Sequence, residues 1–473
     1  MSNDSGSKDS GSGVKSEGIV EKFGYDQSLK RVMPLGSLVL FGLAYMAPGT
    51  IFGTYGIITE MTHGMLALTY IVATIAMFLT ALSYNQMVKA YPLAGSVYSY
   101  VQRSINPHIG FMSGWAILMD YLLIPMLNYL IIALYMRPVF PDVPGWAWIV
   151  GAIVVVTVVN LLGIQVTAWA NNVLVLVQFV FVIACVIFAI RWVLIGNGAA
   201  MLFDWSAIYN AVEFENNGMS FGLILTGASI LALSFLGFDA VTTIAEEAIE
   251  PEKNVGKAIL IICLGAGIYF TVVAFFFQQA WPTGWMEYED PEIGSYELVY
   301  RIGGAFMGYL FVAVTIVGCT ASAIASQSSA ARILFGMGRD GVLPKKFFGH
   351  VNQRFKTPSY NILLIGAIAL IAIVLSLEVA VSLVNFGALA GFIMVNLSVI
   401  FHYFIRGKKR SGKSILLHLI LPILGAVVCF TIWLSLASDA KILGFIWLAV
   451  GVVYLAATTN FFRKLPAEMK LEE

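Results

Sequence analysis

Charged side chains are scarce in this sequence of 473 residues. Only 11% of the residues are Asp, Glu, Lys or Arg, against about 25% in soluble domains, and 59% are hydrophobic. No water-soluble core can enclose so much apolar surface, so we expect the lipid bilayer to be the solvent and a partner of this chain. The 27 basic and 27 acidic residues cancel, and this balance gives no indication of a nucleic-acid partner.

Residues that bind metals or act as nucleophiles are few and scattered. The four cysteines lie in apolar segments without metal-type spacing, and we expect small buried side chains rather than disulfides. The five histidines do not cluster in the sequence either. We therefore expect no enzyme, no metal site and no cofactor. The cysteines are Cys185, Cys263, Cys319 and Cys429, and the histidines are His63, His108, His350, His402 and His418.

One stretch matches a nucleotide-binding motif by pattern alone. Residues 407–414 read GKKRSGKS, which fits G-x-x-x-x-G-K-S. That motif needs a strand before it, a helix after it and a nucleotide-binding domain around it. Apolar segments of membrane-spanning length flank it here, and no polar stretch is large enough for an ATPase. We expect neither a nucleotide partner nor transport driven by nucleotide hydrolysis.

Long apolar runs occupy most of the chain. A spanning helix needs roughly 20 apolar residues, and about twelve segments qualify. They are continuous and lack the period-two alternation of a transmembrane barrel, so the sequence predicts an all-α integral membrane protein. The segments are 34–59, 65–90, 109–139, 146–164, 171–195, 219–246, 255–280, 303–338, 359–377, 379–404, 415–437 and 440–462.

Lysine and arginine are concentrated in the loops on one side of these helices. By the positive-inside rule this side is the cytoplasm, which predicts a multi-pass protein of the plasma (inner) membrane with both termini cytoplasmic. The opposite loops are acidic, a pattern that either concentrates cations or simply keeps the loops soluble. We predict a disordered cytoplasmic tail at 1–30, without a signal peptide, one transmembrane domain at 31–464 and a cytoplasmic tail at 465–473.

The first apolar segment contains helix breakers. Residues 44–56 read AYMAPGTIFGTYG. Pro48 lacks a backbone donor, and Gly49 and Gly53 weaken the helix further. In hydrocarbon, the freed N–H and C=O groups cost several kcal/mol each unless they are buried in protein or face a watery cavity. This segment is therefore expected to line a cavity; a packed proline kink is the alternative.

The sixth segment is interrupted in the same way. Its sequence SFLGFDAVTTIAEE places Gly237 mid-segment and Asp239 at membrane depth, where carboxylates are rare and usually functional. The interrupted segments are five helices apart. Broken helices at corresponding positions of two five-helix halves are typical of transporters built on inverted repeats, with substrate bound at the midplane. The sequence therefore predicts a 5+5 transporter fold with helices 1 and 6 broken, followed by two C-terminal helices.

Two further segments carry polar residues in their apolar context. In the third, Asp120 lies next to Tyr121 and close to Trp115, which suits either a paired structural acid or a site for an organic cation or a proton. In the eighth, Ser326 and Gln327 belong to a patch of small polar residues, which suits close helix packing or a cavity lining.

At these residues the chain resembles the amino acid–polyamine–organocation superfamily, and within it the bacterial putrescine importers. The resemblance extends over roughly residues 35–460 and implies alternating access with, usually, proton-driven uptake. The stretches that carry it are GLAYMAPGTIFGTYGI, YPLAGSVYSYVQRSINPHIGFMSGW, LMDYLLIPMLN, LSFLGFDAVTTIAEE, MGRDGVLP, TPSYNILLIGAIAL and LVNFGALAGFIMVNLSVI.

From the breaks and the resemblance we predict two sets of site residues. The substrate-binding set is Tyr45, Ala47, Pro48, Gly49, Thr50, Gly53, Asp120, Tyr121, Ser234, Phe235, Gly237, Phe238, Asp239 and Glu246. The coupling or gating set is Asp120, Glu246, Glu247, Trp115, Ser326 and Gln327. Asp239 or Glu246 is expected to hold a substrate ammonium, and one of Asp120, Glu246 and Glu247 to couple protons.

The resemblance fails at two of these positions. Putrescine importers typically have Asp where this chain has Gly53, and His where it has Gln327. Residues 171–190 also lack the lysine that replaces sodium in some amino acid members. Three hypotheses therefore stand: a proton-coupled importer of a small amine, putrescine first; an amino acid permease, whose substrate carboxylate would meet N–H groups near Gly49 and Thr50; and a non-transporting nutrient sensor.

Overall fold

The structure is a computed structural model that describes residues 33–92, 96–162, 168–216, 218–339, 341–352 and 357–463, with the backbone only at 44, 168–174, 216, 246, 247, 332, 336 and 339. In this described part, all regular structure is helical apart from a single bridge between Met33 and Ala248. The α-helices are α1 (Leu35–Met46), α2 (Thr50–Met61), α3 (Leu66–Ala90), α4 (Ser96–Ser104), α5 (Pro107–Met136), α6 (Gly145–Leu161), α7 (Ala168–Leu194), α8 (Ala211–Asn216), α9 (Phe221–Leu231), α10 (Pro251–Ala280), α11 (Gly294–Arg339), α12 (Lys345–Phe348), α13 (Ser359–Ala369), α14 (Leu377–Val399), α15 (Gly412–Ile415), α16 (Leu421–Leu434) and α17 (Ser438–Thr458).

Several of these helices continue into tighter or wider turns. The 3-10 turns include Ala232–Phe235, Ala240–Glu247 and Leu370–Ile373, and the π-helical turns are Ile400–Arg406 and Leu416–Ile420. The long helix α11 changes direction at Gly304, whose φ of 69° is a conformation that glycine adopts readily.

The predicted all-helical membrane protein is confirmed. Among the described residues, nine helices are long and apolar enough to cross a membrane, two shorter apolar helices span Gly145–Leu161 and Ser359–Ile373, and α1 and α2 form a broken pair. The predicted count of twelve spans stays a prediction. The nine are Leu66–Ala90, Pro107–Met136, Val175–Leu194, Phe221–Ala245, Pro251–Ala280, Pro291–Phe335, Leu377–Arg406, Gly412–Leu434 and Ser438–Thr458.

Helix α5 lies at the centre of the bundle. The most apolar stretch of α5 is 89% buried, against 28% for the span that includes α16 and 22% for α17. Both α11 and α14 pack along α5, and α10 packs along α3. A central helix presents side chains to several neighbours at once, so α5 can contribute to a site between them, whereas α16 and α17 leave most of their surface uncovered by the rest of the bundle.

A pair of tryptophans joins α5 to α17. The Trp115 indole N–H donates to the Trp447 carbonyl oxygen at 2.9 Å, and the Trp447 indole N–H donates to the Trp115 carbonyl oxygen at 2.8 Å. Their rings stack with centroids 4.7 Å apart. Both indole donors are thereby satisfied, which matters most for Trp115, because it is only 8% exposed.

Candidate functional site

The first break lies between α1 and α2. Helix α1 ends at Met46, Ala47 adopts a positive φ of 51°, and α2 begins at Thr50. The Thr50 hydroxyl lies 2.6 Å from both the Met46 and the Ala47 carbonyl oxygens, and its single hydrogen can be donated to either or shared between them. The Thr50 backbone N–H also donates to the Ala47 oxygen, at 2.9 Å. The break is therefore a built turn in which one threonine side chain meets carbonyl groups that the helix has released.

The second break lies just after α9. The chain leaves the 3-10 turn Ala232–Phe235, extends at Leu236 and passes through Gly237 with φ of 125° before the next 3-10 turn begins. A Cβ on Gly237 would lie 2.8 Å from the Met46 backbone nitrogen and 3.1 Å from the Gly42 oxygen. Only glycine suits this position, because the backbone is left-handed and the two breaks touch there. Both breaks lie where the sequence predicts them.

A cavity of about 90 Å³ opens beside the first break. It continues along α11 into a second space of about 90 Å³, which shares Tyr45, Ala47 and Gln178 with the first. The polar side chains of the lining are mainly hydroxyls and amides, and no charged side chain lines either space among the described residues. The polar residues of the lining are Tyr45, Thr50, Asn128, Gln178, Thr315, Cys319, Ser322, Ser326 and Ser329.

Gln178 of α7 connects the break to the opposite helix. Its side-chain oxygen accepts a hydrogen bond from the Gly49 backbone N–H at 3.2 Å. Its amide nitrogen lies against α11, where a Cβ added to Gly318 would be 3.1 Å away. Gln178 is buried at 8% exposure. The positive end of α2 therefore already has an acceptor, supplied by the protein.

Aromatic rings close the cavity on the α2 side. The Phe52 ring centroid lies 6.0 Å from that of Phe181, 5.8 Å from that of Phe277 and 5.0 Å from that of Phe311. The Phe52 carbonyl oxygen accepts from the Tyr135 hydroxyl at 2.5 Å. On the α1 side, the second space reaches Ala325, which is exposed. The cavity is therefore sealed towards α2 and extends towards α1.

Loop 281–293 lies over this seal. A Cβ on Gly56 of α2 would lie 2.1 Å from the Pro291 carbonyl oxygen, so α2 and the loop are in direct contact. Glu287 accepts from the Thr283 hydroxyl at 2.5 Å, from the Trp281 indole at 2.9 Å and from Arg301 at 3.1 Å. The hydrogen bonds from Thr283 and Trp281, then Arg301, lower the pKa of Glu287 below its ordinary value.

Two buried acids, Asp120 and Asp239, lie outside the lining of the cavity. Asp120 and Asp239 are each 3% exposed. The Gly237 N–H donates to Asp239 at 3.3 Å. One Asp120 oxygen and the Tyr45 hydroxyl are buried, and neither atom has a hydrogen-bond partner among the described residues. Tyr121, next to Asp120 on α5, is 7% exposed and also lies outside the lining.

The structure brings together part of the predicted set. Tyr45, Ala47, Gly49, Thr50 and Gly53 line the first space, and Ser326 lines its continuation. Pro48 instead lies on an apolar groove, where its oxygen accepts from Tyr269 at 3.3 Å.

Other predicted residues pack elsewhere. The Ser234 hydroxyl pairs with Tyr70 at 3.1 Å, Phe235 packs on Phe270, and Phe238 packs edge-on against Tyr84. Trp115 pairs with Trp447, away from the cavity lining.

Gln327 lies in a separate buried network. Its oxygen accepts from Asn160 at 2.7 Å, and its nitrogen donates to the Thr157 hydroxyl and the Ile362 carbonyl, each at 3.1 Å. All polar atoms of this amide are thereby paired within α6, α11 and α13. The side chains of Glu246 and Glu247 lie outside the described residues, so their predicted roles stay predictions.

Sequence reasoning missed the amide side chains of the lining. Asn128 donates to Ser322 at 3.1 Å and joins α5 to α11, and Gln178 joins α7 to the first break. Each is an amide within an apolar span, where an unpaired polar group is costly. The position of a single amide within an apolar span was therefore the signal in the sequence that could have identified these two residues.

The comparisons with known proteins agree with this architecture. The model of the amino acid permease family matches residues 36–461. The low-affinity putrescine importer PlaP of Escherichia coli (strain K12) is 38% identical over 443 residues, 92% of this chain and 95% of that protein. A methylthioribose transporter of Bacillus subtilis (strain 168) is 27% identical over 90% of this chain and 93% of its own. Among solved structures, the Eremococcus coleocola manganese transporter in complex with an aromatic bis-isothiourea substituted compound aligns with a TM-score of 0.56 over 93% of this chain and 98% of that one; at 12% identity the likeness concerns the fold alone.

Proposed function

Because the chain belongs to the amino acid permease family of membrane transporters, we propose that it is a secondary active importer of a small organic amine, with putrescine as the first candidate. The observation that carries the proposal is the cavity at the helix breaks. Helix α1 ends there in carbonyl groups, whereas the N–H groups at the start of α2 are already hydrogen-bonded to acceptors within the protein. The named substrate of PlaP, the 38% identical relative, supports putrescine in particular.

The polarity of the break favours a cation over an anion. The C-terminal end of α1 at Met46 carries the negative end of its helix dipole, which attracts an ammonium group. The N–H groups near Gly49 and Thr50, which an amino acid carboxylate would need, already donate to Gln178 and to Ala47. A carboxylate would have to displace these acceptors, whereas an amine would not.

The two buried acids provide the negative charge. We assign Asp239 to the substrate ammonium, which would reach it past Tyr45 at the break. Asp120, with an unpaired oxygen, is the proposed proton-coupling group together with Glu246 or Glu247. An ammonium at Asp239 would also compensate the cost of keeping that carboxylate out of water.

The proposed direction is uptake across the plasma (inner) membrane with both termini in the cytoplasm. In that orientation the α2 side faces outward. The aromatic seal at Phe52 and the extension of the cavity towards α1 then correspond to an inward-facing conformation, one of the two states that alternating access requires.

An amino acid permease is the second candidate. Gly53 gives the cavity no acid for the far end of a diamine, and no charged side chain lines it among the described residues. A neutral cavity suits a substrate that carries its own two charges. This candidate predicts binding of amino acids and no binding of diamines.

Uptake into proteoliposomes separates the two candidates. With an imposed proton gradient, labelled putrescine should accumulate, a protonophore should abolish accumulation, and excess neutral or acidic amino acids should leave it unchanged. Accumulation of amino acids without any polyamine would establish the permease instead.

The native thiol Cys319 tests whether the substrate occupies this cavity. Cys319 lines the cavity and is partly exposed, whereas Cys185, Cys263 and Cys429 are fully buried. Putrescine should slow maleimide modification, and Cys319→Ser should remove the modification. Unchanged labelling at saturating putrescine would place the substrate elsewhere.

A further inference from the structure

A run of exposed bases lies between two membrane spans. Residues 405–413 are all exposed, and we call this run the basic loop. It contains no acid, and its bases are Arg406, Lys408, Lys409, Arg410 and Lys413. The span Leu377–Arg406 ends within it and the span Gly412–Leu434 begins within it, so the loop lies at the level where a bilayer presents its headgroups. In the described part of the chain, helices and not a strand flank its formal P-loop pattern.

Aromatic rings position two of these cations. The Lys409 ammonium lies 4.8 Å from the centroid of the Tyr403 ring, and the Arg410 guanidinium lies 5.6 Å from that of Phe404. Tyr403 is itself held, because its hydroxyl donates to the Gln86 oxygen at 3.0 Å and its ring stacks on His418 at 4.3 Å. Cation–π contacts of this kind give the charges preferred positions at a surface.

The loop has no internal counter-charge in the described part of the chain. The ion pairs found there involve His63, Arg137, Lys253 and Arg301 as the basic partners, none of which belongs to the loop. Arg406 donates to the carbonyl oxygens of Arg103 and Ile105, which bear no formal charge. The positive charge of the loop is therefore available to an external anion.

An apolar strip begins within a turn of the loop. Leu416 is 48% exposed, Ile420 43%, Leu424 47% and Val427 55%. Their spacing of four, four and three residues places them on one face of the helical stretch that begins after Lys413. A ligand with a charged end and a long apolar end would cover both features at once.

We propose that the basic loop and the apolar strip form a binding site for an anionic phospholipid. The headgroup phosphate meets the bases positioned by Tyr403 and Phe404, and an acyl chain lies along the strip. Basic clusters next to membrane spans attract anionic lipid headgroups, and a bidentate guanidinium is well suited to phosphate. A soluble phosphate would use the charges alone and leave the strip unexplained.

Native mass spectrometry of the detergent-purified protein tests this site. Phosphatidylglycerol and phosphatidylcholine with identical chains are added at equal concentration. The wild-type protein should retain phosphatidylglycerol about tenfold better than phosphatidylcholine. The control variant, which carries Lys345→Gln and Lys346→Gln in the exposed helix α12, should show the same preference. Replacing Lys408, Lys409, Arg410 and Lys413 by Gln should remove that preference. If this variant retained the preference of the wild type for phosphatidylglycerol, or if the wild type had no such preference, the proposal would be overturned.

Two additions keep the test decisive. Glycerol phosphate at millimolar concentration should leave the bound phosphatidylglycerol in place; displacement would show that a soluble phosphate is the ligand and would also overturn the proposal. If the fourfold variant melts at a lower temperature than the wild type, the double variant Lys409→Gln with Arg410→Gln replaces it, since both residues are exposed and each cation lies over a ring of the π-helical turn.

Discussion

Gly53→Asp places an acid in the cavity and should convert it into a better diamine site. Gly53 lines the cavity within the first turns of α2, and an added Cβ would meet only Ile131, at 3.4 Å, which is an ordinary contact. The carboxylate would also lie near the positive end of the α2 dipole, which favours its ionised form. We therefore expect the variant to fold and to place a negative charge in the cavity.

The size of the effect follows from the contact that a second ammonium would make. Two unit charges 4 Å apart interact by about 4 kcal/mol at an effective dielectric constant near 20. Desolvation of the carboxylate offsets part of this, and hydrogen bonds to charged groups contribute about 1.5–3 kcal/mol net. Putrescine affinity should therefore rise roughly 10- to 150-fold. Butylamine has no second ammonium, so its affinity should stay equal or fall.

Equilibrium binding of labelled putrescine, with butylamine as competitor, measures this difference. Gly53→Asn is the matched control, because it has nearly the same shape without the charge. A thermal shift without ligand checks that both variants fold. Equal gains for putrescine and butylamine, or equal gains for Asp and Asn, would refute the idea that a second ammonium reaches this part of the cavity.

Three further outcomes are expected. Gln178→Ala frees a backbone N–H that a carboxylate can accept, so amino acids should compete with putrescine about tenfold better, as uptake inhibition would measure. Gly237→Ala forces a Cβ into the contact between the breaks at φ 125°, so uptake and stability should both drop, whereas Gly151→Ala, with open space around it, should change neither. Glu287 has a lowered pKa in the folded loop, so the stability it contributes is present above pH 4.5 and is lost as pH falls below that value through the folded pKa. Trp281 fluorescence should report this loss, and Glu287→Gln should abolish that acid-dependent change.

The breaks were predictable because their causes are local. Pro48 lacks a donor wherever it stands, and Gly237 permits a backbone that few other residues adopt. The cost of unpaired backbone groups in hydrocarbon then requires a cavity or protein partners near them. These arguments need no knowledge of neighbouring helices, so the sequence alone supports them.

The detailed lining was not predictable because it depends on which face of each helix turns inward. Ser326 and Gln327 are adjacent, about 100° apart around the helix, so they face different neighbours. Ser322, Ser326 and Ser329 share one face and line the cavity, while Gln327 joins a network with α6. The polar cluster in the sequence could not indicate which face would meet the cavity. Trp115 likewise lies near Asp120 in sequence but pairs with a residue of α17.

The reciprocal tryptophan pair has a consequence for biosynthesis. Its two residues are separated by 332 positions in the chain. At a synthesis rate of roughly 5–20 residues per second, the ribosome needs about 15 to 70 s to produce the second tryptophan after the first. During that interval the Trp115 indole N–H lacks the acceptor that it has in the finished protein. Helix α5 thus gains this contact only once α17 has been made, and release of the chain before that point would leave Trp115 without its partner.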